Sequence, residues 1–224
     1  MATPALLEDL EVDDGEDVVT ADIPVTDPTT LPEDLGDAAP AGEEHPLAEA
    51  VEPLGGVGNA AGPAPQGLSI KERIRARDLT VEAAALALRN GASIDYTMGV
   101  KRWDPIKRNR KAFRGEFGNF EDCSSFATWC LWNGLDHFGV GDVVNGQQFQ
   151  AGYTGTMTSH GQRVSQSEAL RGDLCFYADS HRRISHVAIY IGGGMVISHG
   201  SEPGPNKLRM NYRPIVQIRR YIRA

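Results

Sequence analysis

Hydrophobic and polar residues alternate with two different periods along this chain, and one long stretch shows neither. From Leu174 onward the period is two. Leu174–Ala178 reads as a strand and Ile184–Ile191 as a second. Gly192, Gly193 and Gly194 make a turn, and Met195–His199 a third strand. Val216–Ile222 alternates apolar with basic residues, with Val216, Ile218 and either Tyr221 or Ile222 on one face, and predicts a fourth, edge-like strand. Upstream the period lengthens to that of a helix. Residues 69–77 predict a short basic helix; Thr80 fits an N-cap for a second over Val81–Arg89, stopped by Gly91. Asp122 fits the cap of a helix over Cys123–Leu135, with Phe126, Cys130 and either Ala127 or Leu131 as its buried stripe. A further short helix is expected near 145–152. Residues 97–120, rich in Gly, Arg and Lys, predict a long loop with at most one helical turn. Helices first and an antiparallel meander after them mean an α+β fold.

Composition separates the patternless stretch from the rest. Residues 1–65 hold 16 Asp and Glu, no Lys or Arg, no aromatic residue and 9 of the 13 prolines. Such a segment cannot bury enough apolar surface to offset its ordering entropy. The expected organisation is a disordered acidic tail and Gly/Ala/Pro linker over 1–67, then one domain over 68–224, with short helices in 69–91 and a core over 92–222. The formal charge of −8 then conceals a basic domain, since residues 66–224 carry 22 Lys and Arg against 14 Asp and Glu. A basic surface favours an anionic partner. No nucleic-acid recognition motif accompanies it, so nucleic acid is not expected. The tail reads either as a solvating spacer or as an intramolecular competitor that folds back on the basic domain. No run of about 18 apolar residues is present to span a membrane. The opening residues lack the basic start and apolar segment of a secretory signal, which predicts synthesis in the cytoplasm and free thiols at Cys123, Cys130 and Cys175.

The candidate chemistry starts from Cys123. A thiol at the first turn of a helix faces free backbone N–H groups and the positive end of the dipole, which predicts a lowered pKa. The backbone N–H of Cys123 is available to an oxyanion. His186 lies in a strand where alternation puts it on one face with Ala188 and Tyr190, and an imidazole is the base such a nucleophile needs. A third polar group should orient the ring; His199, on the returning strand, is the first choice and Ser198 its rival, because one residue of slip exchanges their faces. Cys130 and Cys175 read as packing residues. Nothing has the spacing of a metal cluster or a phosphate loop, and no cofactor is expected.

Three segments, Asp122-Cys123-Ser124-Ser125-Phe126, Gly172-Asp173-Leu174-Cys175-Phe176-Tyr177 and His186-Val187-Ala188-Ile189-Tyr190-Ile191-Gly192, resemble the NlpC family of papain-like peptidoglycan cysteine peptidases. Their details are most similar to lysins carried by phages of actinobacteria. The resemblance implies a papain-like domain with the nucleophile at a helix N-terminus packed on an antiparallel sheet, and a Cys–His–polar triad. It also implies substrate contacts from an upstream tyrosine, matched by Tyr96, and from Asp122 and Ser124. The implied partner is bacterial peptidoglycan, and the implied reaction is hydrolysis between D-glutamate and a diamino acid of the stem peptide, at the wall, after release or virion delivery. An N-acetylmuramoyl-L-alanine amidase of CHAP type and a non-catalytic wall-binding or virion structural module are the alternatives. Three departures stand out. Ser125 occupies a glycine position. Tyr96 lies 27 residues before Cys123, so Lys101–Asn119 looks inserted. His199 lies one residue beyond the expected count, where Ser198 stands.

Overall fold

The computed structural model describes residues 67–91, 94–200 and 204–223; the expected acidic tail, and any contact it makes, lies outside these residues. The first helix, α1, is continuous over Ile70–Arg89, where the sequence predicted two. Its cap is Ser69, joined reciprocally to Glu72 in a capping box. Thr80 caps nothing. It lies inside the helix, fully buried, and its hydroxyl donates to the Ala76 carbonyl at 2.9 Å. The C-cap is Asn90 rather than Gly91. An alanine-rich face (Ala76, Ala83, Ala84, Ala87) packs on helix α3 (Cys123–Asp136). Gly134 of α3 permits that approach: a Cβ there would lie 2.3 Å from Thr80 Oγ1 and 2.5 Å from the Ala76 carbonyl.

The stretch read as a long loop is ordered. Strand β1 (Asp95–Tyr96) pairs in parallel with β2 (Phe120–Glu121). Between them lie a 3₁₀ turn at Val100–Trp103, the short helix α2 (Asp104–Lys107) and a second 3₁₀ turn at Ala112–Arg114. Its charged residues suggested solvent, but Trp103, Ile106 and Ala112 are buried in the main core. The segment is tied to α3 by the Trp129 indole donating to the Arg110 carbonyl at 3.0 Å and by the Ala112 amide donating to Asn133 Oδ1 at 3.0 Å.

Helix α3 (Cys123–Asp136) is buried on every side from Cys123 to Leu135, not along one stripe. It is wrapped by α1, the inserted segment and the sheet, and its polar residues are satisfied internally, as with Thr128 Oγ1 donating to the Ser124 carbonyl at 2.8 Å. No helix forms at 145–152; instead the short helix α4 occupies Thr154–Thr158.

The sheet has six strands: β3 (Gln162–Val164), β4 (Leu174–Ala178), β5 (Ile184–Gly192), β6 (Met195–Ser198), β7 (Asn206–Arg209) and β8 (Ile215–Arg220), in the order β3-β8-β4-β5-β6-β7. Every neighbouring pair is antiparallel. The last strand is therefore not an edge: β8 lies between β3 and β4, and the edges are β3 and β7, whose short polar segments carry weak strand signals. Leu174, Phe176, Val187, Ile189 and Ile197 join the core with α3, while Cys175, Tyr177, Ala188, Val196 and Ile218 form a smaller cluster on the opposite face. A buried ion pair fastens β8 to the entry of β4: Arg220 Nε and Nη2 donate to the two carboxylate oxygens of Asp173 at 3.0 and 2.9 Å. No helix among the described residues is long and apolar enough to cross a membrane.

Candidate active site

The N-terminus of α3 is held by a dense set of bonds around Asp122. Its Oδ1 accepts from the Ser125 amide at 2.7 Å and from the Ser124 hydroxyl at 2.8 Å, and its own amide donates to Ser125 Oγ at 2.9 Å. Its Oδ2 pairs with the Arg102 guanidinium, which also donates to the Gly152 carbonyl at 3.2 Å. Both Asp122 and Ser124 are buried, and the bonds described here are among their own neighbours. Ser125, at the glycine position of the resembled motif, completes the capping box.

Cys123 is the first residue of α3 and is 6% exposed. The backbone N–H groups of Val187 and Ser124 face its sulfur and favour the thiolate, as does the Arg102 charge. Burial opposes them, aided by the Asp122 carboxylate, and wins: the thiol is pushed up to about 12. The expected lowering by the helix terminus is therefore outweighed by desolvation.

His186 lies near the start of β5, half-buried, one residue before the amide that faces Cys123. It does sit on the face of Ala188 and Tyr190, which is turned away from α3. Its ring meets Tyr177 at 6.1 Å and Tyr212 edge-on at 6.4 Å. It is nonetheless within reach of the charges of Asp122 and His199, so it belongs to the end of the sheet where the helix terminus arrives. Burial above all, with the Arg213 and His199 charges, lowers its imidazole to about 4 against the opposing Asp122 charge. Both groups are consequently uncharged near neutrality, and each disfavours acquiring a charge alone.

His199 directly follows β6 and is fully buried, with its ring 5.7 Å from Tyr96 and 6.2 Å from Phe126, edge-on to both. A register shift between Tyr190 and Gly192 absorbs the extra residue of the glycine turn. Ile189 pairs with Ile197, so carrying the ladder on puts His199 level with Val187, on the α3 side, and Ser198 level with Ala188 on the other. Tyr96 reaches His199 despite its sequence distance because β1 pairs with β2, immediately before Cys123. The structure thus gathers Cys123, Asp122, Ser124, His199 and Tyr96 at the start of α3, with His186 on the neighbouring β5, its ring against Tyr177 and Tyr212 and in reach of the Asp122 and His199 charges.

Sequence reasoning missed Arg102, Tyr212 and Arg213. Arg102 resembled its solvated basic neighbours, and only its partner 20 residues on reveals its place. Tyr212 and Arg213 lie in the turn between β7 and β8, and β7 itself had no clear signal. Cys130 and Cys175 are buried free thiols, as the reading of them as packing residues expected. Among the described residues no group of three or more His, Cys, Asp or Glu could hold a metal ion.

With the geometry in place, residues 110–215 match the NlpC/P60 family. The peptidoglycan DL-endopeptidase CwlO of Bacillus licheniformis is 35% identical over 83 residues, which cover 37% of this chain and 16% of that protein. The chain therefore matches only a small part of that relative's length. Among solved structures, the NlpC/p60 domain of the peptidoglycan hydrolase SagA is 23% identical, covering 64% of this chain and 97% of that one with a TM-score of 0.42. The peptidoglycan hydrolase RipB from Mycobacterium tuberculosis is 19% identical, covering 70% of each chain with a TM-score of 0.44.

Proposed function

We propose that this chain, whose residues 110–215 form an NlpC/P60 family domain, is a cysteine peptidase that hydrolyses an amide bond in the stem peptide of bacterial peptidoglycan. The observation that carries the reading is the convergence of Cys123, at the capped start of α3, with the β5 segment that bears His186. The activity of CwlO, named as a DL-endopeptidase, supports the narrower reading that the bond joins D-glutamate to a diamino acid.

The chemistry follows from two neutral groups that dislike charge separately. As the Cys123 sulfur forms its bond to the scissile carbonyl carbon, its proton passes to His186, so that thiolate and imidazolium character appear together and offset one another. The carbonyl oxygen gains the negative charge and takes the Cys123 backbone N–H. Collapse of this adduct breaks the C–N bond, and His186 returns the proton to the departing amine. A water molecule, deprotonated by the same imidazole, then cleaves the thioester and frees the carboxylate and the thiol. His199 orients the ring, with Ser198 as its rival for that role. Tyr96, Asp122 and Ser124 frame the substrate side, Asp122 and Ser124 acting through the rigid helix terminus.

Digestion of purified sacculi, with product ends identified by mass spectrometry, tests the reading. New D-glutamyl carboxyl ends that vanish in Cys123→Ala support it. Free lactyl ends would assign an amidase instead, and undiminished release by Cys123→Ala would refute a cysteine mechanism.

A further inference from the structure

The turn between β7 and β8 places an unneutralised cation beside the catalytic base. Arg213 is exposed, with its guanidinium 5.8 Å from the centre of the Tyr212 ring. The Tyr212 ring in turn stands perpendicular to the His186 imidazole at 6.4 Å and lies 4.9 Å from Tyr177. Tyr177 is fixed by its hydroxyl donating to the Met210 carbonyl at 2.9 Å, at the entrance to the same turn. The stack from the core outward is therefore Tyr177, Tyr212, Arg213, with His186 against its flank. Among the described residues no carboxylate pairs with Arg213, whereas Arg102, the other guanidinium near the site, is committed to Asp122 and Gly152.

A cation in this position works against a base that must accept a proton. The groups acting on His186 are Asp122 from the α3 cap, His199 after β6, and Arg213 from the β7–β8 turn; only Asp122 favours the imidazolium. A substrate anion over Arg213 would cancel the opposition and be held at the same time.

We infer that Arg213 is a specificity residue that binds a carboxylate of the substrate beside His186, so that an anionic peptide both docks and readies the base. This rests on the proposed peptidase function and names the substrate feature it selects. A D-glutamyl residue linked through its side chain keeps its main-chain carboxyl free, so the stem peptide offers the required anion.

The test compares two synthetic stem peptides, identical except that the free carboxyl of D-glutamate is a carboxamide in the second. The full chain and Arg213→Ala are assayed on both, and the His186 ring is titrated by NMR with each peptide bound. Loss of one charge-assisted contact predicts that wild type prefers the carboxylate peptide by about 10-fold or more in kcat/KM. Arg213→Ala should bring the ratio near one, with Arg213→Lys between. The carboxylate peptide should raise the His186 titration midpoint in wild type, and the carboxamide peptide should not. Equal rates on both peptides, or the same loss on both in Arg213→Ala, would overturn the inference. The titration needs no turnover: a protein that cleaves neither peptide would refute the peptidase reading, while the peptide-specific shift of His186 would still decide the role of Arg213.

Discussion

The two partners of the buried pair at the α3 cap push the Cys123 thiol in opposite directions, and that opposition is measurable. Asp122 raises its pKa and Arg102 lowers it, both beneath a larger contribution from burial. Asp122→Asn removes the adverse charge and retains an oxygen able to accept from the Ser125 amide, so alkylation of Cys123 should be faster at pH 8 than in wild type. Arg102→Ala should slow it. Stability should fall in both, since their side chains are only 12% and 6% exposed. Leaving either charge buried without its partner costs about 3–5 kcal/mol, and Arg102→Ala also strips the Gly152 carbonyl of its donor. The double variant Arg102→Met with Asp122→Asn should recover part of that loss, because no lone charge is left. The assay is stopped-flow or mass-resolved alkylation across pH 6–10, read on the Cys123 peptide, with urea midpoints measured in parallel. Cys130 and Cys175 are fully buried and serve as internal controls that the fold stays closed. Wild-type rates should climb through this range without a plateau, since the thiol stands at about 12. A plateau beginning below pH 7, or rate changes of the same sign in both variants, would refute the reasoning.

Four further outcomes follow from the fold. Gly134→Ala drives a methyl into Thr80 and the Ala76 carbonyl and should cost about 1–3 kcal/mol in chemical denaturation; a neutral result would mean that α1 and α3 are not in this contact. Asp173→Ala leaves Arg220 buried without its carboxylate and should cost about 3–5 kcal/mol, measured as a shift in urea midpoint. His186 is neutral when folded, with its pKa at about 4 against the usual 6.5. Its contribution is complete above pH 6.5 and disappears as pH falls through 4, amounting to roughly 3 kcal/mol, so His186→Gln should flatten the acid limb of the stability profile. Glu121 is buried with neither carboxyl oxygen hydrogen-bonded among the described residues, and burial together with Asp122 pushes its pKa well up. Its folded state prefers the proton, so the penalty is absent at low pH and grows above the unfolded value of about 4.5. Glu121→Gln should therefore be more stable than wild type at pH 7 and equal to it below pH 4, as thermal melts across pH would show.

How far the sequence foretold this molecule depended on whether the relevant physics was local. Strands β4, β5 and β6 and the start of α3 were legible because alternation, a capping Asp and a run of glycines act within a few residues. The cap that sets Cys123 at the head of α3 and the strand that carries His186 were legible for the same reason. Residues 97–120 misled because charged side chains mark solvent only for the atoms that carry the charge; Trp103, Ile106 and Ala112 turn inward between them. The division of α1 failed because Thr80 satisfies its hydroxyl on Ala76 within the helix. The place of β8 inside the sheet could not be read from its own residues, since it depends on pairing with β3, a strand of three residues. The direction of the Cys123 shift failed on magnitude: the Ser124 amide at the helix terminus acts as expected, and desolvation exceeds it even with the Val187 amide beside it.

A covalent acyl-enzyme on Cys123 can be trapped. Full-length protein would be mixed with a stem peptide, quenched in acid within milliseconds to seconds, and read by intact and peptide mass spectrometry. A transient mass increase equal to the acyl half of the peptide is expected, located on Cys123 and absent in Cys123→Ala. In His186→Ala it should form far more slowly. Hydrolysis that proceeds with no adduct at any time point, or an adduct on another residue, would contradict it.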